Sequence, residues 1–170
     1  MTSFKELANL TNRTALITGA TGHLGNVFSD TLAELGADLI LVDLSESKLE
    51  RLSSDLRKKW GIRVDHFVCD LEIQEERTKL ITKFIDSKVE LNILVNNAAF
   101  TGGSELQGWN VSFENQSIDT WRRAIEVNLT AVFDLSQGLL PLLRKSQGAN
   151  IINISSIYGL YDISSLGFPE

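Results

Sequence analysis

The stretch Thr18-Gly19-Ala20-Thr21-Gly22-His23-Leu24-Gly25 decides how this chain is read. It follows the apolar run Ala15-Leu16-Ile17 and leads into a segment where Leu24, Val27, Phe28, Leu32 and Leu35 recur at helical spacing. Strand, glycine turn and helix together form the context in which a glycine-rich loop carries meaning. The glycines let the backbone turn tightly and approach a ligand closely. The helix start offers unpaired N–H groups and the positive end of a dipole to a phosphate. The loop is therefore read as a cradle for a dinucleotide; the competing reading gives the glycines a packing role alone.

The rest of the chain repeats the alternation. Arg13–Thr18 reads as a first strand and Leu24–Leu35 as a helix ended by Gly36. Asp38–Asp43 is a second short apolar run, suited to a buried parallel strand. Ser45 stands where it can cap a helix bearing Leu49, Leu52, Leu56 and Trp60, closed by Gly61. Val64–Cys69 and Leu91–Val95 read as the third and fourth strands, with a helix marked by Leu80, Ile81, Phe84 and Ile85 between them. A long helix from Asp119 to about Leu143 turns Trp121, Ile125, Leu129, Val132 and Phe133 inward, and Asn150–Ser155 is the fifth strand. Such alternation implies an α/β fold, a single domain built on a doubly wound parallel sheet of about five strands, order 3-2-1-4-5, with helices on both faces. Ligands bind such sheets beyond the carboxyl ends of the strands, where strand order reverses. The glycine loop, Asn96-Asn97-Ala98-Ala99 and Ser155-Ser156 all fall on that edge.

Composition narrows the classes. The 170 residues carry a net charge of −6 with no basic cluster to offset it, which argues against nucleic-acid or anionic-membrane partners. The N-terminus, Met1 to Asn12, lacks the apolar core of a signal peptide. No apolar run approaches the ~20 residues of a membrane span. The lone cysteine, Cys69, excludes an internal disulfide and suits a reducing, cytoplasmic setting; beside Phe67 and Val68 it reads as a small core residue.

Two acids sharpen the ligand. Asp43 ends the second strand, 18 residues after Gly25, where a carboxylate accepts hydrogen bonds from an adenosine ribose. A phosphate on that ribose would meet a like charge, and no lysine or arginine follows before Lys48, so NAD is favoured over NADP. Asp70 ends the third strand and suits either the adenine amino group or the cap of the next helix. His23 is read as a filler of the loop and His66 as a strand-surface residue; no set of His, Cys, Asp and Glu has metal-ligand spacing.

Thr18–Gly25, Asp43, Asp70-Leu71, Asn96-Asn97-Ala98-Ala99, Val127-Asn128-Leu129 and Ile152-Asn153-Ile154-Ser155-Ser156, in that order and spacing, resemble the short-chain dehydrogenase/reductase family. The resemblance implies a Rossmann-like fold, NAD(P) binding and hydride transfer between nicotinamide and a small-molecule carbonyl or alcohol. By it, Gly19, Thr21, Gly22, His23, Leu24 and Gly25 would hold the pyrophosphate. Asp70 and Leu71 would contact adenine, Asn97 and Ala98 would line the cofactor, and Asn96 would brace the sheet. Ser156 would polarise the substrate oxygen and Asn128 would hold a water in a proton relay. A homo-oligomer is expected of the intact form.

Two departures accompany the resemblance. The glycine spacing, with His23 where the family's middle glycine falls, is closer to the extended branch of nucleotide-sugar epimerases and dehydratases; the Asn96–Ala99 motif and the Ser156 context favour the reductase branch. The family's catalytic base is a tyrosine followed four residues later by a lysine. Here no lysine follows Lys145, Asp162 and Ser165 stand four residues after Tyr158 and Tyr161, and the usual interval ends near Pro169. The expectation is a chain truncated before that pair, with little activity alone. A non-catalytic dinucleotide-binding or interaction module is the alternative.

Overall fold

Five strands pair in parallel: β1 (Thr14–Thr18), β2 (Asp38–Asp43), β3 (Val64–Val68), β4 (Ile93–Asn96) and β5 (Asn150–Asn153). Their order is β3-β2-β1-β4-β5, as expected from the sequence. The computed structural model describes residues 4–101, 106–109 and 111–156; Tyr158, Tyr161 and Pro169 lie outside them. Among the described residues six α-helices accompany the sheet: α1 (Phe4–Leu7), α2 (His23–Glu34), α3 (Glu46–Trp60), α4 (Gln74–Ser87), α5 (Ile118–Ile125) and α6 (Ala131–Leu143). A π-helical turn, Glu126–Thr130, joins the last two into one rod.

Side-chain alternation along the strands sorts the core into two layers. Leu16, Ile40, Val42 and Leu94 pack with Leu80 and Phe84 of α4 and Leu135 and Leu139 of α6. Ala15, Ile17, Leu39, Leu41 and Val95 pack on the other face with Ala33 of α2 and Leu49 and Leu56 of α3. Strands β1 and β4 are buried along their whole length, which is why they read as continuous apolar runs. Helix α2 ends in a Schellman turn: Gly36, at φ +93°, donates to Ala33 O, and Ala37 donates to Leu32 O. Ser45 occupies the N-cap of α3, but its side chain makes no capping bond and lies against the Ser47 hydroxyl instead.

Two helix faces differ from expectation. On α2 the buried stripe is Gly25, Ser29 and Ala33, while Leu24 and Val27 are 53% and 58% exposed. The cause is distance: a Cβ on Gly25 would lie 2.1 Å from Gly19 O, so the helix runs too close to the crossover for branched side chains to fit beneath it. On the long helix, Ala124, Val127, Ala131, Leu135 and Leu139 face the core; Trp121, Ile125, Leu129 and Phe133 are exposed and Val132 is half-buried. Both sets satisfy helical spacing, and the sheet takes the slimmer one. Strand β5 has all four residues exposed and, among the described residues, pairs only with β4.

Replacing Leu41, fully buried in β2, with alanine is expected to cost about 2–5 kcal/mol in a urea titration. Leu24→Ala, on the exposed face of α2, is expected to cost no more than about 0.5 kcal/mol.

Candidate functional site

The carboxyl ends of β1 and β4 lie in close approach and are tied by side-chain-to-backbone hydrogen bonds. Gly19 leaves β1 at φ +63°, and a Cβ there would lie 2.8 Å from the Cα of Ala98. Thr18 Oγ1 accepts the N–H groups of Asn97 and Ala98 at 3.0 and 3.1 Å. Asn97 Nδ2 returns bonds to the carbonyls of Thr18 and Gly19 at 3.0 and 3.1 Å. Asn96 is buried and donates to Asn153 of β5 at 2.8 Å and to Ser136 of α6 at 3.2 Å, bracing the sheet as expected.

Asp43 closes the other side of the glycine loop. Its Oδ2 accepts both the N–H and the hydroxyl of Thr21 at 2.8 Å, and its Oδ1 accepts Leu44 N–H at 2.7 Å. The N-terminus of α2, capped by no side chain and free of acids in its first turn, therefore opens beside a fixed carboxylate. Asp70 does not cap α4, whose N-cap is Ile73; its Oδ1 instead accepts Glu72 N–H at 2.9 Å in a local turn.

These loops enclose a cleft of about 650 Å³. The glycine loop contributes Gly19, Thr21, Gly22, His23 and Leu24; Asp43, Asp70, Leu71, Asn97 and Ala98 complete the lining expected from sequence. Gly25 lies buried beneath the loop, off the lining. Lys48, Cys69 and Val127 also line the cleft and were not singled out as ligand contacts by sequence. The size and donor set suit a dinucleotide: backbone amides and a dipole end for phosphates, a carboxylate for sugar hydroxyls, and loops too close to admit a Cβ.

Asn128 and Ser156 are not on that lining. Asn128 sits in the π turn, where Oδ1 accepts Phe100 N–H at 2.7 Å and Nδ2 donates to Phe100 O at 3.1 Å. It thereby fixes the loop after β4. Ser156 is exposed, three residues beyond β5.

Sequence reading missed Thr18 as the hub of the β1–β4 junction, and it missed Arg77. Arg77 lies at the start of the apolar stripe Leu80, Ile81 and Phe84 on α4, and a charge within such a stripe is the signal that was available. Away from the cleft, Ser53 Oγ, His66 and Glu46 form a linear array, with Oγ 3.1 Å from Nδ1 and Nε2 3.2 Å from Oε1. Ser53 is fully buried, which excludes it as a nucleophile; the array clips β3 to α3. Among the described residues no three of His, Cys, Asp and Glu are grouped to hold a metal ion, and no helix is long and apolar enough to cross a membrane.

The sequence profile of the short-chain dehydrogenases matches residues 13–167. The chain belongs to the short-chain dehydrogenase family. It is 28% identical over 152 residues to the 3-oxoacyl-[acyl-carrier-protein] reductase FabG of Thermotoga maritima, covering 89% of this chain and 58% of that protein. It is 35% identical over 155 residues to a tropinone reductase homolog of Arabidopsis thaliana, covering 89% of this chain and 55% of that one. The short-chain dehydrogenase of Sphingobium yanoikuyae, solved in complex with NADPH, superposes with a TM-score of 0.74 at 29% identity, over 87% of this chain and 55% of that one. The chain thus spans little more than half the length of the curated relatives it matches.

Cys69 is the one described cysteine on the lining, and burial, reinforced by the nearby Glu76 and Asp70 charges, pushes its thiol up to about 11. Its alkylation in the native protein is expected to be negligible at pH 8. The rate is expected to climb about tenfold per pH unit toward pH 11, because only the thiolate attacks. Alkylation at pH 8 at the rate of a free thiol would contradict the buried geometry.

Proposed function

We propose that this chain binds NAD in the 650 Å³ cleft and supplies the coenzyme-binding part of a hydride transfer between nicotinamide and a small-molecule carbonyl or alcohol. The observation that carries the reading is the placement of the Asp43 carboxylate, bonded to Thr21 and Leu44, at the lip of the glycine loop. The bound coenzyme supplies the hydride chemistry; the chain's own residues bind and orient. Amides of the first turn of α2 take the pyrophosphate, and Asp70 and Leu71 flank the adenine. Asn97 and Ala98, pinned to β1, form the floor. Ser156 polarises the substrate oxygen, and Asn128, through its two bonds to Phe100, shapes the adjoining loop.

The choice of NAD rests on charge. A phosphate near 4 Å from the Asp43 carboxylate costs roughly 4 kcal/mol at an effective dielectric near 20. Solvent at this half-open rim weakens that figure, and Lys48 on the same lining opposes it. We therefore expect the isolated chain to bind NADH at least about tenfold more tightly than NADPH, a difference of about 1.4 kcal/mol in calorimetry. Asp43→Asn is expected to narrow the gap. A preference for NADPH would overturn the reading and point to Lys48.

The exposed stripe Ile118, Trp121, Ile125, Leu129 and Phe133 favours self-association. It presents five large apolar side chains along one face, more than scattered surface apolar residues explain. We expect light scattering to report an oligomer that dissociates when Leu129 and Phe133 are both changed to serine. A chain that is monomeric before substitution would refute this assignment.

A further inference from the structure

Arg77 is 1% exposed, and its guanidinium holds three points of the chain, two side-chain carboxylates and one backbone carbonyl. Nε donates to Asp134 at 2.8 Å, Nη2 to Glu126 at 2.6 Å and Nη1 to the carbonyl of Leu71 at 2.5 Å. Glu126 opens the π turn and Asp134 lies in the first turn of α6, so the two carboxylates bracket the turn that carries Asn128. Leu71, in the loop after β3, lines the cleft, and Val127 is the lining residue contributed by the π turn. One side chain on α4 thus spans from the loop after β3 to the π turn. Through Asn128 it reaches Phe100 in the loop after β4.

Stability alone is a weak reason for such a group. Replacing a buried ion triad with apolar side chains of similar volume is often neutral or stabilising. The neighbours of Arg77 on its own helix, Leu80 and Phe84, are apolar and buried. What an apolar residue lacks is directionality: a planar fork with fixed N–H vectors sets the relative position of three partners at once. Burial opposes the charged form, and the hydrogen bonds to Asp134 and Glu126 outweigh it, so the guanidinium is held above its ordinary value and stays charged.

We propose that Arg77 is a positioning residue that locks two neighbouring segments of the cleft, the loop at Leu71 and the π turn that carries Val127 and Asn128, in register for the coenzyme. This rests on the dinucleotide reading of the cleft, and the test separates the two. NADH binding by the 170-residue chain is measured by calorimetry, and exchange of the Phe100 amide, whose acceptor is Asn128, is measured without ligand. Arg77→Met is expected to weaken NADH binding about tenfold or more and to speed Phe100 exchange by at least a similar factor, with β2 amides unchanged. Arg77→Lys, which keeps the charge and loses the fork, falls between. Leu80→Val, a core change on the same helix, lowers the melting temperature without moving either readout.

Should Arg77→Met not fold, Glu126→Ala and Asp134→Ala each remove one arm, leave the arginine its other carboxylate, and are expected to show the same two effects at about threefold. Unchanged NADH affinity with Phe100 still protected overturns the proposal, as does an equal effect from Leu80→Val. A wild-type chain that binds no NADH overturns the dinucleotide reading, and Phe100 exchange then decides on the Arg77 lock alone.

Discussion

The close approach of three backbone segments at the end of β1 is the constraint from which the rest of the structure follows. Gly19 lies against Ala98, and Gly25 lies against Gly19, at distances where a Cβ on either glycine would overlap backbone atoms. Thr18 and Asn97 seal the junction with four hydrogen bonds. Because α2 sits so low over the crossover, its first-turn amides face the cleft rather than packing against it. Because the β4 loop is pinned to β1, the cleft has a floor that does not depend on a ligand. A single methyl group at Gly25 is enough to separate these segments, and the cradle and the helix position are lost together.

This also explains what was legible in the sequence and what was not. Strand order, the glycine loop, Asp43 and the Asn96–Ala99 motif were readable because each depends on local backbone requirements or on short apolar runs buried on both faces. The inward faces of α2 and of the long helix were misjudged because size, not hydrophobicity, decides them. Gly25, Ser29 and Ala33 displace Leu24 and Val27 where the sheet is close, and Ala124, Val127 and Ala131 displace Trp121 and Phe133. A periodicity argument ranks the larger side chain as the better core residue, and here the available gap reverses the ranking. Of the two roles the sequence left open for Asp70, the helix cap falls away because Asp70 closes a turn to Glu72 before the helix begins at Gln74.

The electrostatics of the cleft follow from which charges are already occupied. Asp43 accepts three donors from Thr21 and Leu44, and a carboxylate offers about four acceptor sites. A ribose therefore meets a carboxylate held in place and nearly saturated, and its hydroxyls must share or replace the Thr21 bonds. That competition makes recognition depend on the conformation of the glycine loop as much as on charge. It ties the sugar site to the phosphate site through one residue, Thr21, which lines the cleft itself.

Arg77, Asn128 and Arg123 show how the opposite wall is held where no regular ladder reaches. Arg123 on α5 binds Glu72 through both carboxylate oxygens at 2.7 and 2.9 Å and lies 5.5 Å from the centre of the Phe100 ring. Nearly half exposed, it contributes little energy on its own. Arg77, which is buried, holds Leu71, the residue next to Glu72, together with the start of the π turn and the first turn of α6. A π turn is uncommon because it widens the helix and weakens its ladder, and such turns are found chiefly where function requires them. Here the turn carries Asn128, whose amide replaces the missing sheet partner of Phe100 with one acceptor and one donor. Loops have no ladder to set their separation, so side chains with fixed donor geometry must do it. Apart from Glu72, which lies in the loop after β3, the charges that tether this wall lie on the long helix and α4.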